Sequence, residues 1–166
     1  MKSRSRRDGF TLVELMITIS VIAIVGTIGA LSLNKQLPHY RRKGDARAIH
    51  SSLVMTRMKA TSSGLQHALQ FNLDAVPQEY VLQRGNASSG STGWAKQAFK
   101  KELSANTRIT QVIDADGTHT TGIARIIFNP TGSAGTGQVF IGTAADGYRV
   151  ILTPTTGKVE VIEGWT

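Results

Sequence analysis

One long apolar run dominates the first third of the chain. Residues 10–33 contain a single charged side chain, Glu14. At 1.5 Å per residue, a helix of this length extends about 36 Å, which is enough to cross a bilayer. The run is too long for the apolar part of a secretory signal peptide, and it does not end in a small-residue cleavage site. The pattern predicts one transmembrane helix.

Helical spacing continues beyond the apolar run. Small or apolar residues recur at every third or fourth position and would share one helix face: Ala46, Ile49, Leu53, Thr56 and Ala60. The sequence Ser62-Ser63-Gly64 should end this helix, because Gly is favoured just after a helix C-terminus. Pro38 lies inside the run and should kink the helix or mark a local break.

After this helix the apolar positions change to a period of two, which is typical of half-buried strands. Strands are predicted over residues 69–73, 79–83, 107–113, 123–128, 138–142, 148–153 and 158–162. Residues 154–157, Pro-Thr-Thr-Gly, should join the last two strands as a hairpin. A turn of helix is predicted over 94–103, where Trp94 and Phe99 would share a face. The pattern therefore predicts an α+β fold.

The distribution of charge changes how the net charge of +8 is interpreted. The basic excess lies at the two ends of the apolar run, in residues 1–9 and 35–59, while the rest of the chain carries about as many acids as bases. The positive-inside rule therefore leaves the orientation of the helix open. The chain has no Cys, which excludes disulfides and thiolate metal sites.

Glu14 is unusual, because an ionised side chain costs about 2.5–3.5 kcal/mol at the centre of a bilayer and less near its interface. Such a carboxylate either reaches back to the interface or has a partner. The residues around Glu14 favour the second alternative, a carboxylate with a partner. A short basic leader ends in Gly9, Phe10 follows, and Glu14 lies four residues after Phe10. This combination resembles the type IV prepilin signature.

The resemblance implies that a prepilin peptidase cleaves between Gly9 and Phe10 and methylates the new amino terminus of Phe10. Residues 1–9 would then remain cytoplasmic, which fixes the orientation of the helix. The carboxylate of Glu14 would neutralise the amino group of Phe10 in a neighbouring subunit, since opposite charges attract strongly where the local dielectric constant is low.

The C-terminal region carries a second resemblance. Residues 126–132 (IIFNPTG), 147–152 (GYRVIL) and 156–159 (TGKV) are similar to the GspH/FimT group of minor pilins and pseudopilins. This group implies a pilin-like fold, in which a long N-terminal helix packs on a C-terminal antiparallel β-sheet domain. It also implies a structural subunit that assembles into, primes or caps a type IV pilus or a type II secretion filament.

The two resemblances together divide the chain into four parts. Residues 1–9 would be the leader, 10–33 the transmembrane and assembly helix, 34–63 the periplasmic half of the helix, and 64–166 the β-rich domain. The protein would cross the bacterial inner membrane once and be extracted into a pilus or pseudopilus. Its implied partners are other pilins, the prepilin peptidase, an inner-membrane assembly platform and inner-membrane lipid.

The basic residues allow two kinds of contact. Arg41, Arg42 and Lys43 follow the apolar run and could bind anionic head groups or acidic faces of neighbouring subunits, which we favour. Some FimT-like minor pilins instead bind DNA through basic residues near the C-terminus, where this chain offers Arg149 and Lys158. The affinity for a phosphate backbone increases with the number of basic residues that contact it, and this pair is small. We therefore favour DNA uptake less than the contacts with head groups or neighbouring subunits.

The sequence gives no support for an enzyme. The four His residues are scattered without metal-ligand spacing, and no Ser lies in a nucleophile elbow. Residues 114–117, Asp-Ala-Asp-Gly, begin like a calcium loop, but Arg125 occupies the twelfth position where Glu is required, so a polar turn is predicted. We expect neither a cofactor nor a metal ion.

Overall fold

The computed structural model describes residues 10–97 and 100–165, and of residues 28–35 it describes the helical backbone only. The predicted leader, including Gly9, lies outside the described residues. One helix, α1, covers Leu12–Ser63. The chain separates into two compact units, one up to Leu37 and one from Pro38 onward, which are described in turn.

The first unit consists of the N-terminal part of α1. Large apolar side chains are exposed all around it, from Phe10 to Val25. Among the helical residues whose side chains the structure describes, no stretch is both long and apolar enough to span a bilayer. Residues 28–33 of the predicted span lie outside that set.

The second unit begins with the rest of α1, and its buried stripe is the predicted one. Ala46, Ile49, Leu53, Thr56 and Ala60 are each at most 1% exposed. The expected break at Pro38 is absent, because α1 continues through this residue. A single missing N–H donor removes one hydrogen bond from a helix whose other turns remain paired.

Helix α1 ends as the sequence predicts. Its last residue is Ser63, and Gly64 follows with a φ of 68°, a left-handed conformation that Gly adopts without steric cost. The Gly64 N–H donates to the carbonyl of Ala60 over 3.2 Å, which satisfies one of the unpaired carbonyls at the helix end.

In the part of the chain that the structure describes, ten strands follow the helix and form two antiparallel sheets. The first sheet has the order β3-β2-β1-β7 with β4 also paired to β2, and the second has the order β10-β9-β8-β5-β6. The strands are β1 (His67–Asn72), β2 (Glu79–Gly85), β3 (Trp94–Lys96), β4 (Lys101–Glu102), β5 (Ile109–Asp114), β6 (Gly117–His119), β7 (Ile123–Phe128), β8 (Gly137–Gly142), β9 (Gly147–Thr153) and β10 (Lys158–Glu163).

The seven predicted strands are present, but the turn of helix over 94–103 is wrong. Strands β3 and β4 occupy the described part of that segment and pair with β2, so that Gln83 faces Lys96 across the first sheet. The open edge of β2 offers backbone hydrogen bonds, which outweigh a weak helical pattern. The predicted polar turn after Asp114 is confirmed, and it leads into the unpredicted short strand β6.

The helix stripe and both sheets contribute to one hydrophobic core. Its largest fully buried side chains include Phe71 and Phe128 from the first sheet, Ile141 from the second, and Ile49 and Leu53 from α1. Burying a side chain of this size contributes about 1.5–3 kcal/mol. The packing of α1 with both sheets in this core therefore holds the second unit together.

His67 generates a prediction about pH. The side chain is 2% exposed, and burial lowers its pKa below the usual value of 6.5. Since the folded state then favours the neutral imidazole, the contribution of His67 to stability is complete above pH 6.5 and is lost as the pH falls below that value. We expect the free energy of unfolding to decrease from pH 7.5 to pH 5, and less steeply in His67→Gln. An NMR titration midpoint for His67 at or above 6.5 would contradict this.

Candidate functional site

The start of α1 is closed by a reciprocal pair, Thr11 and Glu14. The Thr11 hydroxyl accepts a hydrogen bond from the Glu14 N–H over 3.2 Å, and Glu14 Oε2 accepts from the Thr11 N–H and hydroxyl, each over 3.3 Å. This is a capping box, in which a Thr before the first turn and a Glu three residues later satisfy each other's backbone donors. The T-x-x-E spacing of Thr11 and Glu14 is the sequence signal that could have predicted it.

The capping box uses only part of the Glu14 carboxylate. Both bonds reach Oε2, and among the described residues no hydrogen bond reaches Oε1. A carboxylate has about four acceptor positions, so Glu14 can cap its own helix and still bind a cation. Phe10, one residue before the cap, is 86% exposed. The structure therefore places an exposed Phe10 and a partly free carboxylate at the same helix end.

A second polar cluster lies in the second unit, where α1 meets the turn between β8 and β9. We call it the helix clasp and define it as His39, Arg42, Asp146 and Tyr148. The Asp146 carboxylate accepts from the Arg42 guanidinium and lies 3.0 Å from His39 Nδ1, while the Tyr148 hydroxyl lies 3.0 Å from His39 Nε2. With the hydroxyl donating to Nε2, the imidazole carries its proton on Nδ1, facing the carboxylate.

The helix clasp is partly buried. Tyr148 is 3% exposed, and burial is the main cause that raises the pKa of its hydroxyl, with the nearby Glu163 carboxylate adding to the effect. Arg42 was predicted as a contact for DNA or an acidic partner, but the structure shows it paired within its own unit.

The other basic candidates on α1 are placed differently. Arg41 is exposed and Lys43 half-buried, and no salt bridge to either is found within residues 10–97 and 100–165. The acid between them and the core stripe, Asp45, is engaged elsewhere: its carboxylate accepts from the backbone N–H and the hydroxyl of Ser104 over 3.1 and 3.0 Å. This part of α1 therefore presents positive charge to its surroundings.

The C-terminal candidates, Arg149 and Lys158, form no basic patch. The Arg149 guanidinium lies 5.9 Å from the ring centre of Phe140, within the range of a cation–π contact. The Lys158 amine lies 2.5 Å from the Glu160 carboxylate, which offsets its charge. Each of the two cations therefore already contacts another side chain of its own unit, which makes it less suited to bind a phosphate group.

Asp114 shows what the calcium-like segment does. Its carboxylate accepts hydrogen bonds from the N–H groups of Asp116, Gly117 and Arg125, and lies 3.0 Å from His119 Nε2. These bonds close the turn between β5 and β6 and tie it to β7. The Asp114 carboxylate therefore makes its hydrogen bonds within the fold.

Comparisons with known proteins define the class first. Residues 4–30 match the prokaryotic N-terminal methylation motif, which is the signature of prepilin-like proteins. Two structures of the minor pseudopilin EpsH from the type 2 secretion system of Vibrio cholerae have the same fold. One has a TM-score of 0.56 and covers 74% of this chain and 96% of that chain; the other has a TM-score of 0.57 and covers 75% and 97%. Each is 12% identical in sequence. No curated protein matches the chain.

The family follows from the globular part. Residues 45–156 match the family of the type II transport protein GspH, and the chain belongs to that family. The resemblances read from the sequence and the pilin-like α+β fold are thereby confirmed. Members of this class are structural subunits rather than enzymes, and they assemble with other pilins.

The helix clasp generates a stability prediction. Asp146→Ala removes the carboxylate that pairs the largely buried Arg42 side chain and orients His39. Leaving such a cation without its partner should lower the free energy of unfolding by about 1–2 kcal/mol, measured by urea titration. The matched control is Glu160→Ala, which breaks an exposed pair with Lys158 and should change stability by less than about 0.5 kcal/mol. Equal effects of the two substitutions would show that the clasp has no special role.

Proposed function

We propose that this protein is a membrane-anchored minor subunit that is cleaved between Gly9 and Phe10 and then joins a type II secretion pseudopilus or a type IV pilus. The observation that carries the proposal is the capping box at Thr11 and Glu14. It starts α1 immediately behind the cleavage point, so that the new amino terminus would stand at a folded helix end. A capping box suits any helix start; what supports a processed subunit is its position directly after the Gly9-Phe10 motif.

The chemistry of the cleaved terminus supports the role of Glu14. Cleavage creates an α-amino group on Phe10, which is costly to place in hydrocarbon unless a carboxylate neutralises it. Glu14 Oε1 is not used by the capping box and is available for the amino group of a neighbouring subunit. Each subunit would both cap its own helix and fix the axial position of the next.

Membrane residence before assembly belongs to the same proposal. Residues 10–33 would form the anchor, with residues 1–9 in the cytoplasm and the β-rich domain in the periplasm. The exposed apolar side chains around the first unit, from Leu12 to Val25, support an environment of lipid or of neighbouring helices. Positioning at the tip of the filament, in priming or capping, is the finer role that we propose from the family.

The first prediction of this proposal concerns processing. Gly9→Leu should leave the leader uncleaved, because a bulky side chain would obstruct an extended chain in the peptidase. Mass spectrometry of the wild-type protein from cells with an active prepilin peptidase should find an N-terminal, methylated Phe10. An intact N-terminus at Met1 or Lys2 in those cells would overturn the proposal.

The second prediction separates the two uses of Glu14. Glu14→Gln retains an acceptor for the capping box but cannot neutralise an amino group, whereas Thr11→Ala weakens the cap and leaves the carboxylate. We expect Glu14→Gln to be processed normally yet to enter sheared filaments at about one tenth of the wild-type level or less. Thr11→Ala should retain most of its incorporation. The reverse order would assign Glu14 a capping role only.

The alternative of a DNA-uptake pilin is testable with the same protein. Because Lys158 is paired with Glu160 and the Arg149 guanidinium lies beside the Phe140 ring, we expect weak or no binding of duplex DNA at physiological salt. The measurement is a fluorescence anisotropy titration. Submicromolar affinity that falls in Arg149→Ala and Lys158→Ala would favour the DNA-uptake role.

A further inference from the structure

The second unit contains a pocket that belongs neither to the capping box nor to the helix clasp. It has a volume of about 640 Å³ and lies between two segments, residues 73–78 between β1 and β2 and residues 103–108 before β5. Sites for small molecules typically have volumes of about 300–1,000 Å³. A space of this volume is roughly 9 Å across, which two or three extended residues of a peptide span at about 3.4 Å each. The pocket therefore has the size that a short peptide requires.

Buried hydrogen bonds hold the two walls of the pocket in place. The Gln78 amide donates to the carbonyls of Leu73 and Ile109 over 2.9 and 3.2 Å, and it accepts from the Ile109 N–H over 2.6 Å. The second segment is also tied to α1 by the bonds from Ser104 to Asp45. Because the walls are already ordered, a ligand would lose little affinity to ordering them.

One polar group in the wall has no partner within the fold. Thr107 is 9% exposed, and its hydroxyl oxygen is buried without a hydrogen-bond partner among the residues that the structure describes. A buried hydroxyl without a partner lowers stability, so such groups are rare in folded proteins. Rotation about the Cα–Cβ bond moves the hydroxyl between staggered positions and can present it to a ligand in the pocket. Thr107 therefore suits a ligand with a hydrogen-bonding group.

The two walls carry opposite charges that do not pair with each other. Asp74 belongs to the first segment and Arg108 to the second, and neither has a salt bridge within residues 10–97 and 100–165. Asp74 Oδ1 accepts from the Gly122 N–H over 3.0 Å. A carboxylate has about four acceptor positions, so Asp74 can still bind a cation. A ligand with one positive and one negative group would complement both side chains.

Much of the remaining lining is apolar. Leu73 and Leu103 are buried, whereas Val76 is 98% exposed. A ligand that covered Val76 would remove this apolar surface from water, which favours a ligand with an apolar side chain. The lining thus requires two opposite charges, a hydrogen-bonding group and an apolar group in one small ligand.

We propose that this pocket binds a short apolar peptide of two or three residues with free ends. The carboxylate of the peptide pairs with Arg108 and its ammonium group with Asp74. Its side chain covers Val76, and one of its peptide groups bonds to the Thr107 hydroxyl. An internal segment of a protein chain lacks both charged ends and meets these requirements less well. The inference follows from the lining of the pocket and does not depend on the proposed function.

The test uses the full chain in nanodiscs of zwitterionic lipid, with empty nanodiscs as the blank. The probe is the tripeptide Ala-Leu-Ala with free ends, compared with its N-acetylated, C-amidated and doubly blocked forms. We expect saturable binding of the free tripeptide in a ligand-detected NMR titration, with a Kd below about 1 mM. Blocking either end should weaken binding about fivefold, because it removes one ion pair.

Two substitutions assign the charged ends of the peptide. Arg108→Gln should weaken binding of the free tripeptide about fivefold and leave binding of the C-amidated form unchanged, since that form has no carboxylate to lose. Asp74→Asn retains an acceptor for the Gly122 N–H and should act in the same way on the free and the N-acetylated forms. The matched control, Arg84→Gln, removes an exposed cation near the opposite end of β2 and should change affinity by less than about twofold.

Thr107→Val tests the buried hydroxyl with two measurements. Binding of the free tripeptide should weaken about threefold, because one hydrogen bond is lost. The urea midpoint of unfolding should stay the same or rise, because the substitution removes a buried polar group that has no partner in the free protein. A purely structural hydroxyl would give the opposite result, a lower midpoint with unchanged affinity.

Three further results would overturn the proposal. The first is the absence of saturable binding by the free tripeptide. The second is equal affinity for the free and the doubly blocked tripeptides, which would make an internal segment of a protein chain the occupant. The third is an equal effect of Arg84→Gln and Arg108→Gln, which would show that the charge of the whole domain, and not this pocket, attracts the peptide. Cleavage at Gly9 and entry into filaments are measured separately, so any of these results would leave the proposed function standing.

Discussion

The second unit depends on one helix stripe made mostly of small side chains. Ala46, Thr56 and Ala60 are fully buried together with Ile49 and Leu53, so this face of the helix is covered by the core that both sheets line. The Thr56 hydroxyl donates to the carbonyl of Ser52 over 2.6 Å and thus stays satisfied inside the core. A larger residue at these positions would push the sheets away from the helix, and the polar contacts at its edges would be lost with them.

The polar contacts at the edges of the stripe separate the charged residues of α1 into those that bind the β domain and those that face outward. Asp45, His50 and Arg57 each bond to the β domain, at Ser104, Val159 and Gly132. They flank the apolar stripe and fix the rotation of the helix about its axis. The same rotation determines which basic residues face outward, so the asymmetry between an engaged and an exposed side follows from packing. The exposed positive charge of this part of α1 is thereby directed away from the β domain.

The features that the sequence could predict are those with local signals. The stripe of α1, its end at Gly64 and the hairpin at Pro154 depend on residues close in sequence, and all three are confirmed. The helix clasp could not be predicted, because His39 and Asp146 are 107 residues apart and meet only after β8 and β9 pair. Strands β3 and β4 were not predicted for the same reason. They are strands because they pair with β2, and not because of their own sequence pattern.

Through the capping box, Glu14 stabilises the start of its own helix even without a neighbouring subunit. The first N–H groups of a helix lack partners, and the helix dipole places partial positive charge at the same end. Cleavage after Gly9, as proposed, would add a full positive charge on Phe10 to that end. The Glu14 carboxylate, bonded to Thr11, opposes the partial charge of the helix end and would also oppose the charge on a cleaved Phe10. If the helix passes from lipid to neighbouring helices, as proposed, its surroundings would remain apolar, and the electrostatic need for the carboxylate would persist from the membrane to the filament.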